Sequence, residues 1–119
     1  MDSYEFFSIE NDPVLFICQE TDEQGIDPDF VYDLDELRRR CEFPFIITSG
    51  FRSERHHIEA EKDEPGEHNR GAADVYCEDS EKRYIILKNA FAMGFSGIGV
   101  DGAFIHVDKR KTMNRCWTY

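Results

Sequence analysis

Residues 97–108 read GIGVDGAFIHVD, two short apolar runs on either side of Asp101-Gly102. An Asp-Gly pair between alternating apolar residues is a strong signal for a tight hairpin turn. The sequence therefore predicts one strand at 97–100 and a second at 103–108. Because side chains alternate along a strand, three of them should share one face of the second strand. They are Phe104, His106 and Asp108.

Two helices are predicted upstream of this hairpin. The pair Asp27-Pro28 indicates a helix start, because Asp accepts hydrogen bonds from free backbone amides and Pro fits the first helical position. An apolar stripe at helical spacing then continues to Cys41. A second helix is expected from a cap at Ser80 to Met93, with Gly94 as its stop.

Short apolar runs rich in β-branched residues predict two more strands, at 45–48 and 73–77. The apolar run Val14–Cys18 is either an edge strand or an anchoring segment. Residues 51–69 are polar and histidine-rich without an apolar period, so we expect a loop of the kind that carries function. The fold predicted from this order is α+β, with a small, mostly antiparallel sheet packed against two main helices.

The 119-residue chain is long enough for one domain, and its formal net charge is -11. Residues 1–37 carry 12 acids and no Lys or Arg, whereas residues 38–119 carry 13 acids and 14 bases. This balance argues against nucleic acid as a partner, since phosphate binding requires clustered cations. The acidic third is expected to be a solvated surface or to dock against a basic partner.

Membrane and secretory signals are absent from the sequence pattern. No apolar stretch approaches the roughly 20 residues that span a bilayer, and no amino-terminal segment has the pattern of a signal peptide. We therefore expect no membrane span and a cytoplasmic location on synthesis. Four cysteines without a C-x-x-C pair disfavour a zinc ribbon or a redox pair and are expected as free, mostly buried thiols. They are Cys18, Cys41, Cys77 and Cys116.

A candidate metal-binding set consists of His68, Asp74 and His106. Two imidazoles and one carboxylate, with a fourth position for water, make up the ligand set of a catalytic zinc site. Zinc lowers the pKa of its water to about 7, which provides hydroxide for hydrolysis near neutral pH. Taken alone the set is a weak signal, because four histidines and 25 acids offer such triples by chance.

Several short sequence motifs occur in order around these residues. They are Phe16-x-Cys18, SGFRS at 49–53, HNRGAADV at 68–75, GIGV at 97–100 and FIHVD at 104–108. In this order they resemble the zinc D-Ala-D-Ala carboxypeptidase and L-Ala-D-Glu endopeptidase family (peptidase family M15), in particular its small bacterial and phage branch. That family shares its fold with the hedgehog signalling domain. The resemblance covers residues 16–119, which implies a single zinc-peptidase-like domain after an acidic extension at 1–15.

The resemblance implies a role for each matching residue. His68, Asp74 and His106 match the ligands of one zinc ion, and Arg52 matches the arginine that supports substrate binding. A guanidinium suits that role because it can clamp a peptide carboxylate or carbonyl through two parallel hydrogen bonds. The alternative for Arg52 is a salt bridge that pins the loop.

The general base is left open by the resemblance. A hydrolase of this kind needs a carboxylate near the water, and many relatives carry Glu three residues before the last ligand, where this chain has Ala103. Asp101, in the predicted turn, is the first candidate, with a plain turn former as the alternative. Asp108 is either the base or a partner that orients an imidazole.

Further departures from the family pattern lie in the ligand loop. The His and Asp ligands stand six residues apart, one fewer than in the family, and Gly66 replaces a serine. His56 and His57 are expected at the loop surface, where either could line the cleft. The basic residues that follow the last ligand could attract carboxylates of a stem peptide or form a solvated tail. They are Lys109, Arg110, Lys111 and Arg115.

The function that the resemblance implies is a zinc-dependent peptidase that hydrolyses peptidoglycan stem peptides, as a carboxypeptidase or an endopeptidase. The departures favour a rival: a catalytically inactive member of the fold that serves as a structural or binding component, for example of a phage virion or tail. A phage-encoded protein that reaches the wall by lysis or within a virion is compatible with the resemblance. Virion proteins would then be candidate partners for the acidic N-terminal third.

Overall fold

The computed structural model describes residues 4–53 and 67–119. Three helices, a 3-10 helix and five strands follow one another along this part of the chain. They are α1 (Pro13–Phe16), α2 (Pro28–Cys41), β1 (Ile47–Ser49), the 3-10 helix (Glu67–Asn69), β2 (Ala72–Tyr76), α3 (Ser80–Ala92), β3 (Gly97–Val100), β4 (Phe104–Asp108) and β5 (Arg115–Thr118).

The strands form one sheet in the order β1-β2-β4-β3-β5. Neighbouring strands are antiparallel except β3 and β5, which run parallel. With α2 and α3 as the two long helices, the predicted α+β fold with a mostly antiparallel sheet is confirmed. None of the helices in the described part of the chain has the length and apolar character needed to cross a membrane.

Helix α2 begins and ends at the residues that its sequence predicts. The Asp27 carboxylate accepts a hydrogen bond from the Asp29 amide, and Pro28 occupies the first turn. The helix ends at Glu42, which adopts a left-handed backbone conformation with φ of 61°. Its apolar stripe lies in the protein core. The buried members are Phe30, Val31, Leu34, Leu37 and Cys41.

The sheet has two chemically different faces, because successive side chains point to opposite sides. One face packs apolar side chains into the core shared with the helices. This face includes Ile47, Ala73, Val75, Ile98, Ile105 and Val107. The same alternation places Asp74, His106 and Asp108 on the opposite face, where they meet through hydrogen bonds.

Part of the acidic N-terminal third is used inside the fold rather than presented to solvent. The buried Asp35 side chain accepts hydrogen bonds from the backbone amides of Glu5 and Phe6 and from Arg39. These contacts hold the N-terminal segment against α2. Phe7 lies in the common core, while the division of the chain at residue 16 stays a prediction.

The structure corrects one predicted helix start and decides between the two alternatives for the apolar run at 14–18. The cap of α3 is Asp79 instead of Ser80, because the Asp79 carboxylate accepts hydrogen bonds from the amides of Glu81 and Lys82. Residues 14–18 do not form an edge strand: the short helix α1 buries Leu15 and Phe16, so the anchoring alternative applies. A five-residue apolar run does not distinguish a strand from a buried helical turn by its pattern.

The predicted hairpin is present, but its turn differs from the two-residue Asp-Gly type. Because β4 begins at Phe104, residues 101–103 connect the strands. The Asp101 amide donates to the Phe104 carbonyl, and the Asp101 carboxylate accepts from the Ala103 amide at 2.9 Å. Gly102 does not have a positive φ, so the Asp101 side chain organises the turn.

The four cysteines are free thiols, as predicted, and all but Cys116 are buried. The nearby strand β5, which includes Cys116, is an element that the sequence analysis did not predict. Its residues are partly β-branched and aromatic, which is typical of strands, but the run is short and follows a charged segment. Pairing with β3 stabilises it, and that pairing is a long-range contact.

Gly50 lies where α1 meets the segment that follows β1. The Phe51 amide donates to the Leu15 carbonyl at 3.1 Å. A Cβ atom on Gly50 would lie 2.5 Å from the Leu15 Cα and 2.6 Å from the Val14 carbonyl oxygen. Both neighbours are backbone atoms, so the clash could be relieved only by moving α1 away.

The variant Gly50→Ala is therefore expected to lower the free energy of unfolding by about 1–3 kcal/mol or more, as overpacked sites do. Gly102→Ala is the matched control, because no atom lies within 4 Å of its added Cβ. The control should stay within about 0.5 kcal/mol of the parent. Urea unfolding followed by circular dichroism measures both, and equal stabilities would contradict the close contact with α1.

Candidate metal centre

The pairing register of the strands determines which side chains lie next to one another on the polar face of the sheet. Asp74 of β2 lies opposite His106 of β4, and His106 lies opposite Gly99 of β3. Gly99 in turn lies opposite Trp117 of β5. Because Gly99 has no side chain, the rings of His106 and Trp117 meet across it with centroids 5.2 Å apart. A Cβ on Gly99 would lie 2.6 Å from Trp117 Nε1, so glycine is required there for space.

Gly97 has the same role one step along the sheet. It lies opposite Asp108, and a Cβ at this position would lie 2.1 Å from Asp108 Oδ1. Neither Gly97 nor Gly99 has a positive φ. The two glycines of the GIG motif therefore leave space for the side chains of the neighbouring strands.

His68 reaches the same face from the 3-10 helix. Its Nδ1 lies 2.6 Å from the Gly50 carbonyl oxygen, and its own carbonyl accepts a hydrogen bond from the Arg52 amide at 2.8 Å. The SGFRS segment thus holds both the ring and the backbone of His68. Since a carbonyl can only accept, Nδ1 carries the proton, and Nε2 faces Asp74 Oδ1 at 3.5 Å.

Three side chains converge at this point. His106 Nδ1 lies 2.9 Å from Asp74 Oδ1, and one ligand atom from each of His68, Asp74 and His106 falls within 4.8 Å of the other two. Both histidines are buried, and the Asp74 side chain is 13% exposed. This group could bind a metal ion. The six-residue spacing between His68 and Asp74 does not keep the three apart.

The surroundings of the two imidazoles fit a metal. Metal-bound histidines almost always donate their second ring N–H to a carboxylate or backbone carbonyl. The Gly50 carbonyl serves His68, and Asp108 Oδ2 lies 2.7 Å from His106 Nε2. His68 Nε2 and His106 Nδ1 are left facing Asp74. Two nitrogens and one carboxylate oxygen are the donors of catalytic zinc sites with an open fourth position.

Electrostatics of the group follow from its contacts. Burial alone would raise the pKa of Asp74, but hydrogen bonds from His106 and His68 lower that pKa to about 2. Burial opposes a charge on His106 and lowers its pKa, yet hydrogen bonds with Asp108 and Asp74 outweigh this effect and raise the pKa overall. The pKa of Asp108 is lowered, because His106 and Arg110 outweigh the effect of burial. Both carboxylates therefore remain ionised at neutral pH.

The two carboxylates predicted as possible bases have different environments. Asp108 is fully buried, and both of its oxygens are engaged by His106 and Arg110. A carboxylate sealed in this way has no open side for a water, so its contacts fit the role of orienting His106. Asp101 is partly exposed, and one of its oxygens accepts from the Ala103 amide.

Arg52 is half-buried, and its guanidinium donates to Ser49 Oγ at 3.3 Å. The charge of Arg52 also affects the pKa of Tyr119, as do the charges of Asp74 and Asp101. Burial raises the pKa of Tyr119, a hydrogen bond with Trp117 lowers it, Asp74 and Asp101 raise it, and Arg52 lowers it. The side chains of Arg52, Asp74 and Asp101 thus share one electrostatic neighbourhood.

Three residues of this region were missed as site residues. Trp117 and Tyr119 come to the site through β5, and an aromatic run at strand spacing was the only signal for them. Arg110 is not part of a solvated basic tail, because it is 17% exposed and paired with Asp108. No local pattern distinguishes a paired arginine from a solvated one. His56, His57 and Gly66 lie outside the described residues.

Cavity volume does not identify the site. One cavity of about 460 Å³ lies under the N-terminal segment, and another of about 420 Å³ lies beside the start of α2. Neither is lined by His68, Asp74 or His106. The candidate metal centre is indicated by its possible donor atoms and by the partners that orient them.

Protonation of His106 yields a prediction for the pH dependence of metal affinity. Asp108 and Asp74 raise the pKa of His106, so a proton competes with the metal for its ring, whereas Asp74 remains ionised. Zinc affinity is therefore expected to rise with pH until His106 has lost its proton, by up to about tenfold per pH unit for each proton displaced. Zinc titrations at a series of pH values measure this. An affinity that does not change with pH would contradict the assignment.

Comparison with known proteins agrees with this geometry. A family model described as Peptidase M15 matches residues 12–108, a span that contains His68, Asp74 and His106. No curated protein and no solved structure matched the chain. The matched span covers most of the chain and all three candidate ligands. The chain therefore belongs to the peptidase M15 family.

Proposed function

We propose that this protein is a zinc-dependent peptidase that hydrolyses the stem peptides of peptidoglycan. The observation that carries the proposal is the convergence of His68 Nε2, Asp74 Oδ1 and His106 Nδ1, with their ligand atoms within 4.8 Å of one another. Family membership supports peptide hydrolysis, and the donor set supports zinc.

The chain's own residues prepare the site for its metal. The pKa of Asp74, at about 2, keeps its carboxylate ionised at neutral pH. The Gly50 carbonyl and Asp108 orient the two imidazoles, so each presents one nitrogen toward Asp74. When bound, zinc acts as a Lewis acid on a carbonyl and lowers the pKa of water to about 7.

Two further residues are proposed to act on the substrate. Arg52 would hold a carboxylate or carbonyl of the stem peptide through its guanidinium, and the proposal is supported by the effect of its charge on the pKa of Tyr119, which Asp74 also affects. Asp101 would take a proton from the attacking water and return it to the leaving amine. Support for Asp101 comes from its partial exposure and from its electrostatic effect on Tyr119.

The first test joins metal content with hydrolysis. The purified protein should carry or take up about one zinc per chain, as catalytic sites of this type do. It should then release new amino groups from stem peptides that offer both a D-Ala-D-Ala and an L-Ala-D-Glu bond. Asp74→Asn should lose both properties, whereas Asp29→Asn, an exposed acid on α2, should keep both. Hydrolysis that persists in Asp74→Asn would rule out the proposed ligand set.

The choice of base gives a separate prediction. Asp101→Asn should lower kcat/KM by about 10²–10⁴-fold and leave zinc affinity unchanged, since Asp101 is proposed as a base and not as a ligand. An asparagine oxygen can still accept the Ala103 amide hydrogen bond, so the turn is retained. Mass-spectrometric rate assays beside zinc titrations separate the two effects. Full activity in Asp101→Asn would assign the base elsewhere.

The rival hypothesis, an inactive member of the fold, is one outcome of the same assays. It drew support from the six-residue spacing, but the two ligands meet at 3.5 Å despite that spacing. Its remaining support is the alanine at position 103 and the glycine at position 66. Stoichiometric zinc binding without hydrolysis of either bond would favour a structural or binding role.

A further inference from the structure

We infer that Arg110 is the positioning residue of the metal centre, because it fixes His106 from two directions. One route runs through the Asp108 carboxylate to Nε2 of the imidazole, and the other runs through Trp117, whose ring contacts the imidazole ring. This inference rests on the proposed metal-binding function of His106.

The first route is a chain of short hydrogen bonds. The Arg110 backbone amide and Nε both donate to Asp108 Oδ1 at 3.0 Å, and Nη2 donates to Oδ2 at 2.7 Å. Asp108 Oδ2 lies 2.7 Å from His106 Nε2. Because Arg110 engages both oxygens, the carboxylate cannot rotate without breaking a charge-assisted bond. The imidazole edge is therefore held in one orientation.

The second route is a series of side-chain contacts from Arg110 through Trp117 to His106. The Arg110 guanidinium carbon lies 4.9 Å from the centroid of the Trp117 ring. The Trp117 ring lies 5.2 Å from the His106 ring, on the side left open by Gly99. A guanidinium over an indole is an attractive arrangement, so Arg110 holds Trp117 in place against the imidazole.

The backbone around Arg110 is anchored as well. Ser96 Oγ donates to the Arg110 carbonyl at 2.8 Å, and the Ser96 amide donates to the Asp108 carbonyl at 3.1 Å. On the far side, Gly97 leaves only the space that the Asp108 carboxylate occupies. These contacts restrain both the backbone and the side chains of the pair.

Stability alone does not account for this pair. Asp108 is fully buried, and a buried ion pair often contributes no more to stability than apolar residues of similar volume. What an apolar pair could not do is accept the Nε2 hydrogen bond of His106 and so direct Nδ1 toward Asp74. That task requires a carboxylate, and burial of the carboxylate requires the arginine.

The test is the zinc affinity of Arg110→Lys, measured by competition with a chromophoric chelator. Lysine keeps the charge but loses the paired hydrogen bonds and the stacking. We expect zinc binding to weaken by about 10–100-fold, as for other residues that orient metal-bound histidines. Arg40→Lys is the matched control, because Arg40 forms an exposed ion pair with Glu36 on α2. Circular dichroism and thermal unfolding of the metal-free variants check that each one folds.

A double-mutant cycle separates positioning from general destabilisation. Asp108→Asn should weaken zinc binding, and adding Arg110→Lys to it should cost much less than Arg110→Lys costs in the parent, because the first route is already broken. Fully additive effects would overturn the inference. Unchanged zinc affinity in Arg110→Lys would also overturn it while leaving the proposed function intact. A parent protein that binds no zinc would overturn both.

Discussion

The pairing of Asp74 with His106 across β2 and β4 is the contact on which the rest of the site depends. It is fixed from the other side of the sheet, where Val75 lies opposite Ile105 in the core. A slip of one residue between these strands would turn Asp74 and His106 into the core and the apolar side chains outward. The hydrophobic effect on one face therefore holds the candidate metal ligands in register on the other.

Space is the second constraint on the polar face. Five strands of a sheet lie close together, and bulky side chains on adjacent strands compete for the same area. Placing Gly97 and Gly99 on β3 lets side chains of β4 and β5 lean across that strand. Asp108 and Trp117 occupy this space, where Asp108 is hydrogen-bonded to His106 and the Trp117 ring contacts the His106 ring. Strand β3 thus has no side chains on the polar face, and side chains of β4 and β5 occupy the space beside it.

Much of this fold could be predicted from local sequence, because the signals are local physical chemistry. The Asp27 cap, the apolar stripe of α2 and the β-branched strands each act over a few residues. Strand β5 could not be predicted, since it is stabilised by parallel pairing with β3. The ion pair of Arg110 with Asp108 was missed for the same reason. The two residues are close in sequence, but the burial of Asp108 results from packing of the whole sheet. The turn at Asp101-Gly102 was predicted as a tight Asp-Gly turn, but the hydrogen bond from the Ala103 amide to the Asp101 carboxylate organises it instead.

X-ray absorption spectroscopy of the zinc-loaded protein tests the central claim most directly, because it reports the atoms bound to the metal. The account predicts a low-coordinate site with two imidazoles and oxygen, at distances of about 2.0–2.2 Å, and no sulfur. A shell of sulfur at about 2.3 Å would show that cysteines bind the metal instead. A spectrum without histidine scattering would likewise contradict the assignment of His68 and His106 as ligands.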